Sequence, residues 1–153
     1  MTAVDYMSTP EEQAKQPSAA ALCRKIAGAW PEESERIYIF NALWSFWCFE
    51  HAWDDLMDGK SLTPGGRELA AKALYCFVDD LLLNPFIRAR AHQVRSLLVN
   101  ALLRSLEGEG GNLDKRCADI DVFRGFAELV GGWELVRELA PLWEYDQPDK
   151  EAS

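Results

Sequence analysis

The sequence predicts an all-α protein, a single-domain bundle of about five helices around a central hydrophobic helix at residues 32–58. Apolar residues recur three and four positions apart through most of the chain, as on the buried face of a helix. No stretch alternates apolar and polar residues as a half-buried strand would. With 153 residues, 48% of them hydrophobic, the chain is long enough to bury one sizeable core.

Proline and glycine residues mark where the predicted helices end. The residue before a proline is pushed out of the helical region, and a glycine commonly follows the last helical turn. The predicted helices therefore span residues 18–29, about 32–58, 67–83, 86–106 and about 113–139. Gly131-Gly132 is expected to interrupt the last one, either as a kink or as a close helix contact. We expect a flexible arm at residues 1–17, a bundle domain at 18–144 and a frayed tail at 145–153.

Helical spacing also predicts which residues face the core. The run from Ile37 to Phe49 is apolar on nearly every side, and such a helix is usually buried. The inner face of the third helix is predicted to carry Leu69, Ala73, Leu74, Phe77, Val78 and Leu81. The inner face of the fourth is predicted to carry Val94, Leu97, Leu98, Ala101 and Leu102.

Charge and cysteine content restrict the classes of function and location. The formal net charge is −9, which disfavours nucleic-acid binding because a phosphate backbone would be repelled. The apolar run of the central helix is shorter than the ~20 residues of a membrane span, and no signal peptide is evident. The cysteines are Cys23, Cys48, Cys76 and Cys117. Their wide spacing is typical of buried thiols in a reduced compartment, so we predict a cytoplasmic protein without membrane association.

The most informative stretch follows the apolar run, where the sequence places Glu50, His51 and the three aspartates Asp54, Asp55 and Asp58. Residues three, four and seven apart share a helix face, so the aspartates lie on one broad arc with His51. Carboxylates this close repel one another, and acids at a helix C-terminus oppose its dipole. A divalent cation removes that penalty. We therefore predict that the three aspartates bind Mg²⁺ or Mn²⁺, while Glu50 or His51 orients a water molecule or ligand.

Cationic residues are expected near the same acidic stretch. If consecutive helices pack antiparallel, the end of the second helix meets the start of the third and the end of the fourth. That end then gathers Lys60, Arg67 and Arg104. A metal ion beside lysine and arginine is the arrangement that phosphate binding needs. A phosphorylated small molecule, such as a diphosphate, is the predicted ligand.

Each of these features also has a simpler interpretation. The acidic stretch is also compatible with a solvated helix end in an acidic protein. Asp79 and Asp80 are expected at a solvated helix end as well. His92 is expected at the surface or the edge of the core, since no Glu-x-x-His pair accompanies it.

Residues 54–58 read Asp-Asp-Leu-Met-Asp and match an Asp-Asp-x-x-Asp motif. In this the chain resembles the class I terpenoid and isoprenyl diphosphate synthases, in which the motif lies towards the end of a helix and binds the Mg²⁺ that holds the substrate diphosphate. The resemblance implies that the three aspartates are metal ligands. The family's second metal-binding motif has no counterpart here. The chain is also similar in size to the all-α nucleotide pyrophosphohydrolases, small bundles with acidic clusters on two adjacent helices.

The sequence therefore leaves several functions open. The first is a divalent-metal-binding helical protein that binds or acts on a diphosphate or phosphorylated small molecule. As an enzyme it would be a Mg²⁺-dependent diphosphate lyase or transferase, or a nucleotide pyrophosphohydrolase. The alternative is a non-enzymatic interaction or accessory protein with an acidic surface. The oligomeric state is open, and a homodimer is compatible with the sequence.

Overall fold

The computed structural model describes the backbone of residues 17–57, 59, 64–107 and 112–145, and most side chains within 19–53, 65–103 and 120–142. Its α-helices are α1 (Pro17–Gly28), α2 (Arg36–Met57), α3 (Pro64–Leu83), α4 (Pro85–Ala89), α5 (Ala91–Glu107), α6 (Asn112–Glu138) and α7 (Ala140–Tyr145), with a 3₁₀ turn at Glu33–Glu35. Throughout the described ranges the regular elements are helical. The all-α prediction is confirmed.

The helices differ from the predicted ones mainly by added breaks. The predicted second helix begins as the 3₁₀ turn before α2, and the predicted fourth is divided at Arg90 into α4 and α5. The chain forms two compact units, Met1–Ala89 and Arg90–Ser153. Helices α1 to α4 belong to the first unit and α5 to α7 to the second.

Helix α2 is the centre of the first unit. It packs against α1, α3 and α4. Six consecutive residues of it, from Asn41 to Phe46, are buried, so neighbouring helices cover this segment on all sides. The prediction of a buried central helix is confirmed. Burying an apolar side chain such as that of Leu43 or Phe46 contributes roughly 1.5–3 kcal/mol, so this segment stabilises the unit.

Helices α2 and α3 run antiparallel. Near the end of α2, the ring of Phe49 stacks on that of Phe77 with centroids 4.3 Å apart. Near its start, the carbonyl oxygen of Tyr38 accepts a hydrogen bond from Nδ2 of Asn84, just after α3, at 2.8 Å. Later residues of α2 therefore lie beside earlier residues of α3, so the two helix directions are opposite.

Asn84 ends α3 and begins α4. Its Oδ1 accepts hydrogen bonds from the backbone amides of Phe86 (3.0 Å) and Ile87 (3.3 Å), as a helix N-cap does. Pro85 occupies the first helical position, where no amide hydrogen is needed. The predicted break at Asn84-Pro85 is confirmed.

The second unit is held by α5 packed on α6. Gly125 allows this contact, because a Cβ there would overlap the side chain of Leu97. Gly132 has φ 68° and ψ −165°, a combination that residues with a side chain rarely adopt, and α6 kinks there. The kink predicted at Gly131-Gly132 is confirmed. Of the residues predicted on the inner face of the fourth helix, Val94, Leu98 and Ala101 are buried, whereas Leu97 and Leu102 are half-buried.

Helix α3 presents a different face to the core than the sequence predicted. Ala73 and Phe77 are buried as expected, but Val78 is 52% exposed, so its prediction as an inner residue is wrong. The face that packs on α2 continues from Ala73 and Phe77 to Asp80, leaving Val78 on the outer side. Leu74 and Leu81 lie between the two sides and are half-buried.

Over the part of the chain described above, no helix combines the length and apolarity of a membrane-crossing segment.

Candidate functional site

The predicted site lies at the C-terminal part of α2. Helix α2 is continuous from Arg36 to Met57, so the backbone at Glu50, His51, Asp54 and Asp55 follows one helical path. His51 and Asp55 are therefore one turn apart on the same face, as are Glu50 and Asp54. The last turn of α2 contains no basic residue to offset its aspartates. Asp58 and Lys60 lie outside the described residues.

His51 is held in one orientation by its own helix. Its side chain is exposed, and its Nδ1 lies 2.9 Å from the backbone carbonyl oxygen of Trp47. A carbonyl oxygen only accepts, so Nδ1 carries the hydrogen of this bond, and in the neutral ring Nε2 carries the lone pair. The rings of His51 and Trp47 also contact each other, with centroids 4.3 Å apart. Metal-binding histidines commonly donate their second ring nitrogen to a backbone carbonyl in this way.

Glu50 differs from His51 in its exposure. Its side chain is only 7% exposed, although it is next in sequence to the exposed histidine. Successive helical residues point about 100° apart, so Glu50 faces a neighbouring helix while His51 faces outward. The acidic stretch thus begins inside the first unit and continues towards the end of α2.

Two of the predicted phosphate-binding residues, Arg67 and Arg104, belong to different units. Arg67 is exposed in the first turn of α3. Extending the antiparallel register of α2 and α3 brings Arg67 to the level of the last turn of α2, within roughly 5 Å along the helix axis of Asp54 and Asp55. Arg104 belongs to α5 in the second unit, and its approach to the acidic stretch stays a prediction.

The donor atoms fit a divalent cation by their chemistry. Imidazole nitrogen and carboxylate oxygen are the ligand types that Mn²⁺ accepts, and carboxylate oxygen suits Mg²⁺. Among the side chains that the structure describes, no group of three or more His, Cys, Asp and Glu residues is gathered as a metal site. The side chains of the three aspartates are not among them.

A second polar cluster lies inside the first unit, where the sequence predicted solvent. Asp80 was predicted, with Asp79, at a solvated helix end, but its side chain is only 5% exposed, so this prediction is wrong for Asp80. Asp80 lies on the face of α3 that packs on α2. We define the buried polar cluster as Asn41, Ser45, Asp80 and Asn84, all of which are buried.

The environment of Asp80 favours its neutral form. The pKa of Asp80 is raised from 3.8 to about 6, chiefly by burial. Hydrogen bonds from Ser45 and Asn84 lower it in part, and the nearby charge of Asp79 adds to the increase. Within the described residues, Oδ2 of Asp80 and Oδ1 of Asn41 are buried without a hydrogen-bond partner. A proton on Asp80 turns one of these acceptors into a donor. The sequence signal for this cluster is the pair of polar residues four apart, Asn41 and Ser45, inside the apolar run of α2.

The remaining polar candidates behave as expected from the sequence. Cys23, Cys48 and Cys76 are buried thiols outside any disulfide, and burial raises the pKa of Cys23 well above its usual range. A raised thiol pKa makes reactivity at Cys23 unfavourable. His92 is exposed on α5, in agreement with the prediction of a surface position. The side chain of Cys117 lies outside the described residues.

Comparison with known proteins adds no relatives to this picture. No protein-family model matches the chain, and neither a curated protein nor a solved structure matches it significantly. The resemblance to diphosphate-binding enzymes is therefore confined to the motif at residues 54–58.

Proposed function

We propose that the C-terminal part of α2 binds a divalent cation, Mg²⁺ or Mn²⁺, and through it a diphosphate or another phosphorylated small molecule. The observation that carries this proposal is the hydrogen bond from Nδ1 of His51 to the carbonyl oxygen of Trp47. This bond leaves the lone pair of the neutral ring on Nε2, at an exposed position. Asp54 and Asp55 follow His51 by three and four residues on the same helix, which supports a shared site.

Each residue of the proposed site has a distinct role. Asp54, Asp55 and Asp58 supply carboxylate oxygens to the cation, which relieves their mutual repulsion. Nε2 of His51 accepts a proton from a water molecule or binds the cation directly. Glu50, which is largely buried, orients the ligand from the inner side. Arg67 neutralises phosphate oxygens from the start of α3, and Lys60 and Arg104 are proposed to assist it.

This chemistry supports reactions in which a bond to a diphosphate or phosphate group is broken. A divalent cation held by these aspartates would supply the positive charge that stabilises a departing diphosphate or phosphate group. An exposed imidazole with a lone pair on Nε2 can accept the proton of an attacking water molecule. These properties support a Mg²⁺-dependent diphosphate lyase or transferase, or a pyrophosphohydrolase, as the enzymatic form of the proposal.

A non-enzymatic accessory protein is the second candidate. It is favoured by the absence of basic residues from the last turn of α2 and by the net charge of −9. An acidic helix end without a basic residue in its last turn fits a basic partner surface. In this alternative the aspartates repel one another in the free protein and are neutralised by the partner's lysines and arginines.

Asp55→Asn separates the two candidates. We expect wild-type protein to release or absorb heat on titration with Mg²⁺ and inorganic pyrophosphate, and its melting temperature to rise. At one hundred times the dissociation constant, binding stabilises the fold by about 2.7 kcal/mol. Asp55→Asn is expected to lose most of this gain, because a neutral amide is a weaker ligand for Mg²⁺ than a carboxylate.

Glu128→Gln is the matched control, since it removes one exposed carboxylate from α6 in the second unit. It should keep the full response to Mg²⁺. If the wild-type protein shows no heat and no change in melting temperature, the metal proposal is wrong. If, in addition, Asp55→Asn melts slightly higher than wild type without any cation, relief of repulsion accounts for the acidic stretch and the accessory candidate is supported.

A further inference from the structure

The outer side of α3 carries a continuous line of exposed apolar residues. We define the α3 stripe as Ala71, Tyr75, Val78 and Leu82, which are all exposed; Tyr75 is 56% exposed and Leu82 65%. Their spacing of four, three and four residues keeps them on one line along the helix. Single exposed apolar residues are ordinary in proteins, but an aligned series at this spacing is the pattern of a helix–helix contact.

The charges beside the α3 stripe indicate what covers it. Lys72 and Asp79 follow Ala71 and Val78 by one residue each, so both lie on the same flank of the stripe. They are seven residues apart, roughly 10 Å along the axis, which is too far for a mutual ion pair within one helix. Within its own chain, Nζ of Lys72 instead lies 3.1 Å from Oε1 of Glu68, in a pair with exposed side chains.

Two copies of α3 packed antiparallel bring charges of opposite sign together on this flank. In an antiparallel helix pair, each flank meets the same flank of the other helix with the chain direction reversed. Lys72 therefore lies opposite the partner's Asp79, and Asp79 lies opposite the partner's Lys72. A parallel pair would instead set the flank with Lys72 and Asp79 against the opposite flank of the partner, which carries Leu74 and Leu81, and both ion pairs would be lost.

The same antiparallel register matches the apolar residues by size. It places Tyr75 opposite the partner's Val78 and Ala71 opposite the partner's Leu82, so each large side chain meets a smaller one. On the flank without charges, Leu74 and Leu81 are half-buried and lie opposite the partner's Leu81 and the partner's Leu74. Shape and charge thus favour a single arrangement.

We propose that the α3 stripe is a homodimer interface, in which a second copy of this chain docks antiparallel about a twofold axis. The proposal uses a different surface from the metal site at the end of α2 and does not depend on it. One helix from each copy buries less than the ~1,600 Å² of a standard interface, so we expect a dissociation constant in the micromolar range.

Analytical ultracentrifugation tests the apolar part of this interface. The weight-average mass of the wild-type protein should rise from monomer towards dimer between about 1 and 500 µM. Leu82→Glu should weaken association by about tenfold or more, because it buries a charge against the partner's Ala71. Leu103→Glu, at a residue of α5 that is 53% exposed, should leave association unchanged. A wild-type protein that stays monomeric throughout, or a Leu82→Glu variant that dimerises normally, overturns the proposal.

A charge exchange tests the antiparallel register. Lys72→Glu and Asp79→Lys should each weaken the dimer, because each places like charges opposite one another. The double variant Lys72→Glu/Asp79→Lys should return to within about twofold of wild type, since the two pairs are restored with reversed polarity. Circular dichroism of each variant confirms that α3 remains helical. If the double variant associates no better than the single ones, the antiparallel arrangement is wrong.

Discussion

Replacing Asp80 with asparagine is expected to stabilise the protein at neutral pH and to remove most of its loss of stability between about pH 4 and pH 6. The folded state holds a proton on Asp80 with a pKa of about 6, against 3.8 for an ordinary aspartate. Above pH 6 the buried carboxylate is ionised in the folded state, and its desolvation lowers the free energy of unfolding by up to about 3 kcal/mol. The asparagine side chain would keep the shape and hydrogen-bonding capacity of the aspartate without its charge.

The sign of the pH dependence follows from which state binds the proton more tightly. Because the pKa is higher in the folded state, stability is greatest below the unfolded pKa and falls as the pH rises through the folded value. Urea unfolding at pH 4.5 and pH 7.5 measures this difference for the wild type and for Asp80→Asn. Glu128→Gln removes a charge from an exposed site and should leave the difference unchanged. A wild-type protein whose stability rises across this range, with an Asp80→Asn variant that is less stable at pH 7.5, would contradict the raised pKa of Asp80.

Asn84→Ala is expected to lower the free energy of unfolding by roughly 2–3 kcal/mol. The substitution removes the cap on the amides of Phe86 and Ile87 and the hydrogen bond to the carbonyl of Tyr38. It also removes a hydrogen bond that lowers the pKa of Asp80, so that pKa should rise further. Because Asn84 joins α2, α3 and α4, the loss should affect the whole first unit.

Asn84→Ser separates the cap from the link to α2. Serine retains an oxygen that can cap α4 but has no amide to reach the carbonyl of Tyr38. We expect it to lose about half of what alanine loses. Hydrogen exchange at the amides of Phe86 and Ile87 should quicken in the alanine variant and change little in the serine variant. Equal exchange and stability in all three proteins would mean that Asn84 does not hold this junction.

The sequence predicted the features that depend on local chemistry. The burial of α2 follows from its apolar residues, and the break at Asn84-Pro85 follows from the restriction that proline places on its predecessor. The kink at Gly132 follows from the conformational freedom of glycine. These predictions needed no knowledge of which helices touch.

The errors on α3 share a single cause. Hydrophobicity alone assigned Val78 to the core and Asp80 to solvent. Helix α3 is instead oriented with Asp80 facing the core and Val78 facing solvent. Asp80 is accommodated because Ser45 of α2 and Asn84 form hydrogen bonds with it. Such compensation depends on partners on a second helix, which apolar spacing does not reveal.

The sequence identifies the residues of the candidate site, but it does not predict how their side chains are oriented. The spacing of His51 and the aspartates is visible in the sequence, whereas the hydrogen bond that fixes the ring of His51 depends on its side-chain rotamer. The exposure of neighbouring side chains also differs sharply, since Glu50 is buried and His51 is not. The level of Arg67 along α2 follows from the antiparallel packing of α2 and α3, which is a tertiary property.

Anomalous diffraction from crystals soaked with Mn²⁺ tests the proposed metal site most directly. We expect one peak at the C-terminal part of α2, about 2.1 Å from carboxylate oxygens of the aspartates at positions 54, 55 and 58. Nε2 of His51 should face that peak, with Nδ1 still bonded to the carbonyl of Trp47. Crystals soaked at saturating Mn²⁺ that show no peak beside these aspartates would contradict a metal-binding function for this protein.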